Sequence, residues 1–203
     1  MSRYARVACS FAAAVVAWFC LSGWTIEQSW TGATAWPAAN VAAAAESKAD
    51  LNPADIKVIV VDKAGLAKAI AAHKGKVVLV DYWATWCAPC VKQFPHTVEL
   101  WRKNRDRGLA VIALSFDEPD EIEDVQKFLA GKGAGFDNLI SKVGAAESSA
   151  EEFDYDGALP NYAIYDRAGN LVKRISPSDP TIKFRPEMID EAVEEQLAVK
   201  AAQ

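Results

Sequence analysis

Two hydrophobic patterns alternate along this chain. The stretches "KVVLVDYW" (76–83) and "LAVIALSF" (109–116) are nearly continuous apolar runs of strand length. Such runs belong to strands covered on both faces. "IKVIVV" (56–61) is rich in β-branched residues and predicts a further strand, and "GFDNLIS" (135–141) a short one. "PNYAIYD" and "NLVKRI" flank "DRAGN", which is the pattern of a hairpin.

The second pattern recurs every three to four residues and marks helices. Over 63–75, Leu66, Ala69, Ile70 and His73 share a face, and Gly75 supplies a stop. From Ala88 to Arg105, Val91, Phe94, Val98 and Trp101 form an inner face. Lys92, His96, Glu99 and Lys103 form the outer one, and Pro95 predicts a kink. Residues 118–133 predict a helix with Pro119 and acids in its first turn. Residues 145–155 predict a short helix, and 186–200 a closing helix with Ile189, Ala192, Val193 and Leu197 inward. The order β-α-β-α-β-α-β-α-β-β-α predicts an α/β fold, a mixed sheet flanked by helices.

With 203 residues and 51% hydrophobic content, the chain can hold one globular domain plus something extra. The extra part is the N-terminus. Arg3 and Arg6 precede an uncharged apolar run over residues 7–21, which reaches 24 with little polarity. A basic start and such a run predict a secretory signal peptide or an uncleaved membrane anchor. The small residues of "ATA" (33–35) suit cleavage, whereas residues 7–24 approach the shortest span of a bilayer, so both readings stand. The expected organisation is a signal or anchor over 1–35, an Ala-rich linker over 36–52, and one domain over 53–203. Either way the domain is expected outside the cytoplasm, in a periplasm or cell envelope.

The formal net charge is −5, and residues 1–35 carry Arg3, Arg6 and Glu27, a net +1 whose removal leaves −6. An acidic domain without a basic patch is a poor partner for nucleic acid.

Of four cysteines, Cys9 and Cys20 fall in the export segment, which leaves the domain with Cys87 and Cys90 in "DYWATWCAPC". A zinc site wants four ligands, and no second pair exists in the domain, so no metal is expected. A c-type haem needs His after the second Cys, where Val91 stands, so no cofactor is expected. A structural staple across two residues closes almost no loop. Redox exchange fits better. Cys87 ends a strand and precedes a helix, where free N–H groups and the helix dipole stabilise a thiolate on an exposed sulfur. Cys90 lies one turn on, within disulfide reach, and Pro89 suits a first helical turn. Asp81 is the one acid in its apolar strand; buried, its carboxyl would have a raised pKa and could take a proton from the second thiol.

"VVLVDYWATWCAPC", a proline in the following helix and the isolated proline of "ALPNYAIYDRAGNLV" together resemble the thioredoxin superfamily from about residue 56 to 200. The resemblance implies a thioredoxin-like mixed sheet with Cys87 attacking and Cys90 resolving. It places Pro160 where the family keeps a cis-proline facing the cysteines. Leu159 and Pro160 would then contact a partner's backbone, beside a surface made by Trp86, Ala88 and Pro89. Pro160 follows Cys90 by 70 positions, which exceeds plain thioredoxin by about one βα unit, around residues 134–155. Such a central insert, behind an export segment, is similar to the membrane-associated TlpA/ResA/CcmG group. Members of the group are mostly thiol:disulfide oxidoreductases outside the cytoplasmic membrane, often reductants in cytochrome c maturation. This implies protein thiols and disulfides as substrates, an upstream electron donor and a possible membrane tether. The chain departs from the group at Gln93, where an acid is usual, at Asp81, where Asn is usual, and at Ser176-Pro177, where glycine is usual. The competing readings are a binding or chaperone module on the same fold, and a peroxidase, which lacks its lone cysteine in a Pro/Thr-rich loop.

Overall fold

The computed structural model describes residues 52–177, 181 and 183–199. The export segment read over 1–35, with Cys9 and Cys20, and the linker up to residue 51 lie outside the described residues. Among the described residues, no helix is long and apolar enough to cross a membrane.

Six strands form one mixed sheet: β1 (Val58–Val61), β2 (Val77–Trp83), β3 (Leu109–Ser115), β4 (Asp137–Ser141), β5 (Asn161–Tyr165) and β6 (Leu171–Ile175). Among the described residues five α-helices accompany them: α1 (Lys63–Ala72), α2 (Ala88–Asn104), α3 (Ile122–Lys132), α4 (Ser149–Phe153) and α5 (Glu187–Ala198). The order across the sheet is β1-β4-β3-β2-β5-β6. The first four strands in that order run parallel to one another, and β5 pairs antiparallel with both β2 and β6. All elements expected from the sequence are present in order. The expected insert supplies β4 and α4, and β4 enters the sheet between β1 and β3 rather than extending an edge.

Strands β2 and β3 are buried at every position, as their unbroken apolar runs require. Alternate residues of β2 serve two cores. Val77 and Leu79 pack with Ile189 and Val193 of α5, whereas Val78 and Val80 join the cluster containing Leu66 and Ile70 of α1. The hairpin turns through Asp166, whose carboxyl accepts the N–H groups of Ala168 and Asn170, both at 2.8 Å. Gly169 there has φ of +89°, a conformation that a Cβ disfavours.

α2 continues through Pro95, which removes one N–H donor without ending the helix. Two details differ from expectation. α1 stops at Ala72, and His73 caps it, with Nε2 2.7 Å from the Asp137 carboxyl rather than in the core. His96, expected on the solvent face, is partly covered, and its Nε2 lies 2.9 Å from Asp190 of α5. The closing helix covers part of what the helical period alone marks as an outer face.

Candidate active site

Cys87 is the N-cap of α2: its Sγ accepts the N–H of Cys90 at 3.3 Å, and its C=O accepts the N–H of Val91 at 3.0 Å. Ala88 and Pro89 form the exposed first turn, where proline loses no helical hydrogen bond. Cys87 and Cys90 are joined as a disulfide, with Cα atoms 5.2 Å apart. Cys87 keeps 6% of its surface and Cys90 2%. The first cysteine, its sulfur bonded to Cys90, is therefore much less open than the exposed thiol expected of it. It is still the more open of the two.

Asp81 lies in β2, 2% exposed, paired in register with Ala113 on one side and Tyr162 on the other. Burial pushes its pKa from 3.8 up to about 7, opposed by one hydrogen bond from the Thr97 hydroxyl at 2.7 Å. Burial, and then the Asp81 charge, push the Tyr162 phenol up in turn. Thr97 is a residue that sequence reasoning missed, although a signal for it exists. Cys90, Phe94 and Thr97 recur at helical spacing, so the α2 face that carries the second cysteine also carries the hydroxyl that meets Asp81. Trp83 packs on Phe94 with ring centroids 4.6 Å apart and on Phe128 at 4.8 Å, filling the apolar surroundings of the motif.

A groove of about 540 Å³ opens beside the disulfide. Trp86, Cys87, Ala88, Pro89 and Leu159 line it, which brings together five of the residues singled out in the sequence. Cys90 and Asp81 are not in its lining and lie behind it. Pro160 is buried, joined to Leu159 by a cis peptide bond, and does not line the groove either. Trp86 is 58% exposed, a large apolar surface at the groove rim. The opposite wall has no counterpart among the sequence expectations. It comes from Phe116 after β3 and from the insert, through Ala145, Ala146, Ala150 and Tyr155. Phe116 stacks on Tyr155 at 4.9 Å, tying the insert to the end of β3. Gly144, with φ of +52°, lies where a Cβ would collide with the carboxyl of Glu118, and Glu118 Oε1 accepts the N–H of Ala145 at 3.4 Å.

A mixed sheet with a Cys-x-x-Cys disulfide where an interior strand meets a helix, and a proline loop opposite, is a thioredoxin-like fold. The chain matches the Redoxin family over residues 46–192 and belongs to it. Among curated proteins it is similar to the thiol-disulfide oxidoreductase ResA of Bacillus thuringiensis (strain Al Hakam), 32% identical over 117 residues that make up 58% of this chain and 64% of the relative. A second ResA, from B. thuringiensis subsp. konkukian, is 29% identical over 130 residues, 64% of this chain and 72% of the relative. The match thus spans a little under two thirds of the first relative's length. Among solved structures, a Chlorobium tepidum protein designated thiol:disulfide interchange protein DsbE superposes with a TM-score of 0.51 at 23% identity, covering 64% of this chain and 85% of that one. That likeness concerns the fold.

Proposed function

We propose that this protein is an extracytoplasmic thiol:disulfide oxidoreductase that reduces disulfides of partner proteins through Cys87 and Cys90. The observation that carries the reading is the disulfide at the N-terminus of α2, with Cys87 facing a groove and Cys90 behind it. The thiol-disulfide oxidoreductase relatives support the same chemistry. The uncharged run over residues 7–21 behind two arginines supports export or anchoring.

In the reduced protein, the Cys87 thiolate attacks one sulfur of a partner disulfide. A mixed disulfide forms, and the partner's other sulfur leaves as a thiolate. Cys90 gives its proton to Asp81, whose pKa of about 7 suits both taking and returning it near neutral pH. The Cys90 thiolate then attacks Cys87 Sγ, closing the intramolecular disulfide and releasing the second partner sulfur, which takes up a proton. Two electrons have passed to the partner. An upstream dithiol donor returns them by the same exchange in reverse. Trp86, Ala88, Pro89 and Leu159 hold the partner segment, and Pro160 backs the loop that carries Leu159.

Equilibration of the full chain against a glutathione series tests the direction. A reduction potential near thioredoxin's, ~−270 mV, is expected of a reductant; one near DsbA's, ~−120 mV, would make the protein an oxidant. A fold used only for docking or chaperoning clients would show insulin reduction no faster than free glutathione.

A further inference from the structure

A second buried acid, Asp117, lies just past the end of β3 and is 0% exposed. Its carboxyl faces the loop that leads into the cysteine motif. The Thr85 N–H donates to both carboxyl oxygens, at 3.1 and 3.0 Å, and the Thr85 hydroxyl donates to Oδ1. The Ser115 hydroxyl donates to Oδ2, and Ser115 Oγ accepts the N–H of Asp117 itself at 3.0 Å. Thr85 and Asp117 follow the ends of two neighbouring strands and stand 32 positions apart in sequence. Next to them, the Phe116 N–H donates to Trp83 O at 2.8 Å, which carries the β2–β3 pairing past the last strand residue.

Thr85 is the second residue of a tight turn, Ala84-Thr85-Trp86-Cys87, closed by the Cys87 N–H on Ala84 O at 3.2 Å. The turn therefore has two fastenings. One is its own backbone bond, and the other is the grip of Asp117 on Thr85. A carboxyl taken out of water without donors is costly. Here both carboxyl oxygens are used, and each bond comes from Thr85 of the turn or from Ser115 at the end of β3.

We infer that Asp117 is a positioning residue for the redox reaction: through Thr85 it holds the turn that seats Cys87 Sγ at the N-terminus of α2. The inference rests on the reading of Cys87 as the attacking thiol. The N-terminus of a helix stabilises a thiolate only while the sulfur stays aligned with its free N–H groups. Asp117→Asn keeps the volume but replaces one acceptor oxygen by an amide –NH2, which cannot accept from the Thr85 N–H or the Ser115 hydroxyl, so the grip on Thr85 is weakened.

The sign of one shift separates positioning from a plain charge effect. A carboxylate that acted on Cys87 only by its charge would hold the thiol pKa up, and its removal would lower it. Loss of positioning raises it. The test is alkylation of the fully reduced full chain with iodoacetamide across pH, with the adduct on Cys87 quantified by mass spectrometry, beside insulin reduction. For Asp117→Asn the expected result is an alkylation midpoint raised by about half a unit or more and insulin reduction slowed about tenfold. A midpoint that falls or stays in place would overturn the inference. Should Asp117→Asn lose its far-UV circular dichroism, Thr85→Val decides the matter, since it removes only the hydroxyl arm of the grip. A smaller upward shift supports positioning, and no shift overturns it. Faster labelling of Cys90 than Cys87 in the unaltered chain would overturn the reading of Cys87 itself, and the assignment of Asp117 with it.

Discussion

The floor beneath the cysteine motif and the rim beside it each hold one buried aspartate, and the two are furnished very differently. Asp81, in the middle of β2, has a single side-chain donor, Thr97, and its pKa is pushed up to about 7. Asp117, at the end of β3, accepts from the Thr85 amide, the Thr85 hydroxyl and the Ser115 hydroxyl. Both are almost wholly removed from water. Burial alone therefore does not decide what a carboxyl does. With few donors it is poised to exchange a proton close to neutral pH. Surrounded by donors it fixes the backbone that supplies them.

Asp81→Asn challenges this contrast most sharply. An amide cannot take the Cys90 proton, so resolution of the mixed disulfide should slow about 10–100-fold near pH 7. The pH–rate profile should also lose its step near 7. Rapid-quench measurement of mixed-disulfide decay across pH checks both, and an unaltered profile would remove Asp81 from the mechanism.

The same variant has a second, thermodynamic effect. The folded chain keeps a proton on Asp81 in the window between 3.8 and about 7, where the unfolded chain has lost it. The folded state then binds more protons than the unfolded one, so stability falls as pH rises through that window and is level above it. Asp81→Asn should lack this decline and should exceed the unaltered protein by about 2–4 kcal/mol at pH 8, with little difference near pH 4. Urea unfolding at the two pH values measures the difference. Equal stability at both would mean that burial of Asp81 carries no such cost.

Thr97→Val is the gentlest perturbation. It removes the one hydrogen bond that favours the charged carboxyl, so the step in the pH–rate profile should move upward, by about one unit at most. Redox titration should leave the dithiol count unchanged. A step that moves down would mean that Thr97 favours the neutral acid instead.

Much of this is legible in the sequence, for identifiable reasons. The unbroken apolar runs of β2 and β3 announce strands buried on both faces, and the apolar surroundings of Asp81 announce a buried acid. Cys87, Cys90, Trp86, Ala88, Pro89 and Leu159 are local to two short motifs, so their grouping at one site follows from the resemblance those motifs carry. Asp117 is not legible. It falls between a strand and a helix, and what matters is its pairing with Thr85, 32 positions earlier. The placement of β4 inside the sheet is hidden for the same reason, since periodicity says that a strand exists and nothing about its neighbours. His96 looks exposed because the helical period places it opposite the core, and only the path of α5 brings Asp190 against it. Thr97 is the intermediate case, readable from its spacing to Cys90 once Asp81 is taken as a partner.

The proposed chemistry stands or falls on Cys87 attacking and Cys90 resolving, and trapping separates the two roles. Cys90→Ser and Cys87→Ser variants of the full chain, each reduced and mixed with an excess of a disulfide-bonded protein such as insulin, are quenched in acid and weighed by mass spectrometry. A stable mixed disulfide on Cys87 is expected in the Cys90→Ser variant, and none on Cys90 in the Cys87→Ser variant. Equal trapping by both variants, or trapping on Cys90 alone, would contradict that division of labour.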